Sequence, residues 1–172
     1  MVPHFILSLP LETVVTESIP NEFAEMQMID VEGKKMPDSE FGNKRFIVLL
    51  VEDNVELLNL TRESLSDWFK VFSACNGKEA LEILSRESID VIVSDIMMPE
   101  MDGIEYLKRV KGNNDICHIP IILLSAKSSL NDQIQGLEYG ADEYITKPFS
   151  SAYLKARVDS LLKQRQILYD YY

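Results

Sequence analysis

The chain has 172 residues, 46% of them hydrophobic, and a formal net charge of -11. That length holds one domain of ordinary size with a real core plus a tail, and no apolar run is long enough to span a bilayer. The acidic balance repels phosphate backbones and no basic stripe offsets it, so direct nucleic-acid binding by this chain is not expected.

In chain order, the opening "MVPHFILSLPL" is apolar but lacks the basic start and small-residue cleavage site of a signal peptide. Residues 11–44 are acidic, carry two prolines and follow neither the strand nor the helix period, which reads as a linker or tail ordered only where something holds it. After Lys44 the texture changes. Five apolar strand candidates, "FIVLLV", "VFSAC", "VIVS", "IILLS" and "EYITK", alternate with amphipathic segments. Such alternation predicts an α/β domain, a parallel sheet with helices on both faces.

The first helix begins after Asn54, a good cap, and runs to Lys70 with Val55, Leu58, Leu65, Trp68 and Phe69 as its core stripe. The second lies in "CNGKEALEIL", the third follows the turn Asp102-Gly103, and the fourth stops at Gly140. The fifth repeats Leu154, Val158, Leu161, Arg165, Leu168 and Tyr172 every three or four residues, a seam suited to a further domain or a partner helix. The two cysteines, Cys75 and Cys117, lack CxxC pairing and read as free buried thiols in a reducing cytoplasm.

The residues that end the strands share a chemistry. Strand three runs into Asp95, followed by two methionines and a proline-bearing turn; a carboxylate there is either a helix cap or a working acid. Strand one ends at Glu52 and Asp53, strand four at Ser125 and strand five at Lys147. In a doubly wound sheet of order 2-1-3-4-5 the ligand crevice opens between strands one and three, so Glu52 and Asp53 would face Asp95 across it. Three carboxylates so close raise one another's pKa. A divalent cation resolves that conflict, and all-oxygen ligands favour Mg²⁺ or Mn²⁺ over zinc.

Lys147 supplies a positive charge for a phosphoryl oxygen and Ser125 one hydrogen bond. The set suits a phosphoryl group on Asp95 with the carboxylate as nucleophile. Taken singly, Asp53 with Asn54 is equally a helix cap, Ser125 a core hydroxyl and Lys147 a surface lysine. Taken together, chance does not put such groups at the same edge of adjacent strands. Neither histidine belongs there: His118 precedes strand four, on the order of 20 Å from Ser125 at ~3.3 Å per residue, and His4 has no metal-ligand partner at useful spacing. No phosphate loop of the P-loop type is present.

Residues 45–164 resemble a response-regulator receiver domain of two-component signalling, through "VLLVEDN", "SDIMMPEMDG", "LSA" and "EYITKPF". The resemblance implies a flavodoxin-like fold with Asp95 as phosphoacceptor. It implies Asp53 as a direct Mg²⁺ ligand, Glu52 acting through water, and Met97 contributing its backbone carbonyl. Lys147 would pair with the phosphoryl group, with a cis Lys147-Pro148 bond, and Ser125 and Tyr144 match the family's switch pair. Tyr144 read alone is a packed strand residue.

The family's usual output face implies a homodimer through the fourth helix, fifth strand and fifth helix. Asp142, Glu143 and Arg157 sit where cross-dimer ion pairs form, whereas Tyr139, Tyr153, Ser160 and Gln164 replace charged residues of the best-known dimerising subfamily. The phosphodonor implied is a histidine kinase, in the same parent chain. "HFILSLPLE" resembles the last strand of a kinase ATP-binding domain, so residues 1–10 read as that strand and residues 165–172 as a helical extension toward an output domain of AraC helix-turn-helix type. The parent would be a hybrid sensor kinase at the inner membrane, with this part cytoplasmic. Two rivals are a non-phosphorylated pseudo-receiver and a haloacid dehalogenase-type phosphatase, whose second Asp is here replaced by Met97. A free single-domain shuttle is a third, which the tail and linker argue against.

Overall fold

In a computed structural model of the chain, the described residues are 45–126 and 130–171. The expected kinase strand at 1–10, the linker at 11–44 and the seam's last residue, Tyr172, lie outside them. Five parallel strands, β1 (Ile47–Val51), β2 (Lys70–Ala74), β3 (Val91–Asp95), β4 (Ile121–Ser125) and β5 (Glu143–Thr146), form one sheet of order β2-β1-β3-β4-β5. This is the doubly wound topology expected from the sequence. Five helices connect or follow the strands: α1 (Val55–Ser66), α2 (Gly77–Arg86), α3 (Gly103–Lys111), α4 (Leu130–Glu138) and α5 (Ser151–Tyr171).

The unbroken apolar runs of the inner strands follow from burial on both faces. In β1, Val48 and Leu50 enter one core cluster with Leu58 and Leu65 of α1 and Leu154 and Val158 of α5. Leu49 and Val51 enter the other, with Ala80 and Leu84 of α2 and Tyr106 and Leu107 of α3. Successive residues thus serve opposite layers, as the strand period requires. Helix α4 lies on the second face, close enough that a Cβ built on Gly136 would stand 3.1 Å from Leu123 Cδ1.

Three helix starts are fixed at the carboxyl edge of the sheet by short polar side chains. Asn54 Oδ1 accepts from Glu56 and Leu57 N–H at 3.1 Å each, Asn76 Oδ1 from Glu79 at 2.9 Å, and Asp102 Oδ1 from Glu105 at 2.8 Å. Each satisfies N–H groups that the first turn leaves without carbonyl partners.

Several expectations need correction. Helix α1 ends at Ser66, because Lys70 already pairs with Ile47 as the first residue of β2. Leu58, Leu65 and Phe69 are buried, but Val55 is 56% and Trp68 43% exposed. Val55 opens the helix at the crevice rim, ahead of the packed turns. Trp68 falls past the helix end, with the Lys155 ammonium 5.4 Å from its ring centroid. The cysteines are free but not buried, Cys75 exposed and Cys117 partly so. Both sit in connections, one after β2 and one before β4, rather than in a packed element.

Helix α5 buries Leu154, Val158, Leu161 and Leu162, whereas Leu168 of the same seam is 60% exposed. The residues expected to bridge two copies are engaged within the chain. Arg157 Nε donates to Glu143 Oε2 at 2.9 Å, and Asp142 Oδ2 accepts from Ile121 N–H at 2.8 Å and lies 3.6 Å from Lys111 Nζ. Among the described residues no helix is long and apolar enough to cross a membrane.

Candidate phosphoacceptor site

Each group of the site follows directly from the end of a strand. Glu52 extends β1 by one residue, its N–H donating to Ala74 O at 3.1 Å, and its side chain is buried while the next residue, Asp53, faces out. Asp95 closes β3 and is buried; its Oδ1 accepts from Ile96 N–H at 2.8 Å. Lys147 follows β5, its N–H donating to Ser125 O at 2.7 Å, and the Lys147-Pro148 bond is cis as expected. The sheet register therefore sets the relative heights of these residues.

The three carboxylates meet as the sequence predicts: Glu52, Asp53 and Asp95 each offer an oxygen within 4.8 Å of the others. Lys147 spans two of them, its Nζ 2.7 Å from Glu52 Oε2 and 3.1 Å from Asp95 Oδ2. Glu52 Oε1 accepts from Asn54 N–H at 3.2 Å, so the cap residue of α1 also steadies the site. Burial pushes the Glu52 carboxyl above its ordinary range and the Asp95 charge adds to this, outweighing the Lys147 hydrogen bond. Burial alone would lower the Lys147 pKa, but the Glu52 hydrogen bond and the charges of Asp95 and Glu52 raise it on balance. The lysine stays charged, and the buried acid beside it is poorly solvated even when paired.

Ser125, buried, ends β4 in register with Thr146, at the same edge as the carboxylates. Tyr144 lies further back, in register with Leu123, its ring passing close to Gly136. The Met97 side chain is 57% exposed, so nothing in the packing demands its identity. Gly103 is required by space: a Cβ there would lie 2.3 Å from Asp95 O and 2.7 Å from Ile96 Cα. The start of α3 is thus pressed against the backbone of the acidic residue.

The direct Glu52–Lys147 pair was not anticipated from sequence. The motif around Glu52 suggested a role toward a cation, whereas in the fold one carboxylate oxygen is held by the lysine and the other by the Asn54 amide. The strand alternation carries a faint signal of it, since Asp53 and Glu52 must point to opposite sides. As a donor set, three carboxylates at this spacing fit a hard divalent cation that prefers oxygen ligands. A buried carboxylate beside a lysine and such a cation can accept a phosphoryl group.

Residues 48–159 match the response regulator receiver domain family. A probable transcriptional regulator, ycf27, of Cyanidium caldarium is 42% identical over 72% of this chain and 49% of its own length. Hybrid signal transduction histidine kinase D of Dictyostelium discoideum is 40% identical over 70% of this chain and 8% of its own. The chain thus spans about half or less of the length of these relatives. Among solved structures, the signal receiver domain of a signal transduction histidine kinase from Syntrophus aciditrophicus superposes with a TM-score of 0.65 at 37% identity, over 69% of this chain and 91% of that one. With fold, edge residues and sequence in agreement, the chain belongs to the response regulator receiver domain family of two-component signalling.

Proposed function

We propose that this chain takes a phosphoryl group from a histidine kinase onto Asp95, in the presence of Mg²⁺ or Mn²⁺, and passes the resulting change to a linked output. The observation that carries the reading is the buried Asp95 carboxylate lying 3.1 Å from the Lys147 ammonium, within a cluster shared with Glu52 and Asp53. In the reaction an Asp95 oxygen attacks the phosphorus of a phosphohistidine. The P–O bond forms as the P–N bond breaks, and the imidazole leaves with the electron pair and takes up a proton. Lys147 exchanges its contact with Asp95 for one with a phosphoryl oxygen, countering the charge gathered there.

Asp53, Asp95 and the Met97 backbone carbonyl would hold the cation directly, with Glu52 acting through water. Glu52 keeps the outer role that the resemblance implies, its oxygens accepting from Asn54 N–H and Lys147 Nζ. Bound there, the cation neutralises charge on the phosphoryl oxygens. The Ser125 hydroxyl then turns to the phosphoryl group and the Tyr144 ring turns inward, a population shift between two states. The chain acts on itself, promoting its own phosphorylation and dephosphorylation, rather than on other substrates.

The kinase relatives support a parent that is a hybrid sensor kinase, with its phosphodonor histidine in the same protein and this part in the cytoplasm. The ycf27 relative supports a transcriptional output. The reading is tested by intact mass after incubation with Mg²⁺ and acetyl phosphate, wild type beside Asp95→Asn. A single phosphoryl adduct on the wild type alone is expected. An adduct on both would move the acceptor elsewhere, and none on either, with folding and Mg²⁺ binding confirmed, would mean a domain that needs its own kinase as donor, or a pseudo-receiver.

A further inference from the structure

The loop between β3 and α3 is braced from outside the site. Gly77, the first residue of α2, is buried against Met101: a Cβ built there would stand 2.7 Å from Met101 Sδ, 3.1 Å from its Cγ and 3.3 Å from its Cβ. Met101 is only 2% exposed, so its side chain has no open solvent to swing into. Beside it Glu100 holds φ of 65°, the left-handed region that side-chain-bearing residues seldom occupy without support. Glu100 also meets Lys78 of α2 at 3.0 Å, but both side chains of that pair are exposed and the pair adds little. Of the two contacts with α2, the buried Gly77–Met101 one is therefore the stronger brace.

Within the loop, Met98 N–H donates to Ile96 O at 3.1 Å, Met101 N–H to Pro99 O at 2.7 Å and Gly103 N–H to Ile96 O at 2.8 Å. The first and last of these share Ile96 O and close residues 96–103 into one loop that contains both Met101 and Met97, so a push on Met101 bears on Met97 through that closed loop. Asp95 and Glu52 are held independently, one in the β3 ladder and the other on Ala74. These sheet anchors limit how far a disturbance at Gly77 shifts the two carboxylates compared with the loop.

We propose that Gly77 is a positioning residue for the cation: by leaving room for Met101, it sets the β3–α3 loop so that the Met97 backbone carbonyl stands with Asp53 and Asp95. This rests on the cation-site reading above. Gly77 touches neither cation nor phosphoryl group and acts only through Met101.

The test is Gly77→Ala in the full chain. The Mg²⁺ dissociation constant, followed by NMR amide shifts, rises about tenfold, the size typical when support for a metal ligand is lost. The Mg²⁺ concentration that half-saturates labelling by acetyl phosphate rises by the same factor, while the rate at saturating Mg²⁺ stays within about twofold of wild type. Adding Met101→Ala to Gly77→Ala restores the affinity, because the new methyl then has room. If Gly77→Ala does not fold, Met101→Phe, which crowds the same contact from the loop side and leaves α2 unchanged, is read against the same tenfold rise. A folded Gly77→Ala with wild-type Mg²⁺ affinity, or a double variant with no recovery, overturns the proposal while leaving the cation site standing. Absence of Mg²⁺ binding by the wild type overturns both.

Discussion

Lys147 governs the charge balance of the site, and its two partners make that measurable. Glu52 has a folded pKa raised above its ordinary 4.5, first by burial and then by Asp95. The folded state therefore holds that proton more tightly than the unfolded chain, and stability falls as pH rises from 4.5 through the raised value. Lys147 is raised above 10.5, so its contribution is complete below 10.5 and lost as pH climbs through its folded value. In Lys147→Met the hydrogen bond that opposes the Glu52 shift is gone and a buried carboxylate is left unpaired. The variant is expected to lose about 3 kcal/mol near neutral pH by urea denaturation. The deficit shrinks as pH falls and Glu52 takes up its proton, and added Mg²⁺ recovers more stability in the variant than in wild type. A deficit independent of pH would show that lost packing, not charge, is responsible. The places of Asp95, Asp53, Ser125 and Lys147 were legible in the sequence because each comes one or two residues after the last apolar residue of a strand. The Glu52–Lys147 bond was not, since the partners lie 95 residues apart and meet only through the register of four strands.

At the scale of elements, α5 is one helix with two surroundings. Its first turns bury Leu154, Val158, Leu161 and Leu162 against β1, β3 and β4, while Arg165 Nη1 reaches Asp90 O at 3.1 Å at the far edge of the sheet. Beyond that bond Ile167, Leu168 and Tyr171 are exposed. Leu154→Ala should therefore cost about 2–5 kcal/mol, and Leu168→Ala less than about 0.5 kcal/mol, compared by urea midpoints at equal slope. A large loss at Leu168 would mean that the last turns are covered in the full chain. The sequence shows a single seam from Leu154 to Leu168, because spacing records a periodic face and not what stands opposite it. The same blindness placed Val55 and Trp68 in the core. Helix starts were more legible than helix ends: the acceptor groups of Asn54, Asn76 and Asp102 act within three residues of their own position, whereas the end of α1 is set by the pairing of Lys70 with Ile47.

For the molecule as a whole, the two core clusters of the described residues lie on opposite faces of the sheet between them. One holds Leu107 of α3 and the other Leu154 of α5, and both side chains are fully buried. Every inner strand feeds both layers with alternate residues, so neither layer can open without stripping one face of the same five strands. Unfolding is therefore expected to be a single transition. The chain's one tryptophan, Trp68, follows α1 and sits on the α5 side, where Lys155 approaches its ring. Leu107→Ala removes side-chain volume from the opposite layer, yet it should shift the urea midpoint seen by Trp68 fluorescence as far as the midpoint seen by circular dichroism. Combined with Leu154→Ala, the losses should add to within about 0.5 kcal/mol, since the sites share no partner across a separation of about 10 Å or more. Had Leu107→Ala moved the circular dichroism and left the fluorescence in place, the layers would be independent. A site spanning β1, β3 and β5 would then have no common framework to hold its carboxylates and lysine in register.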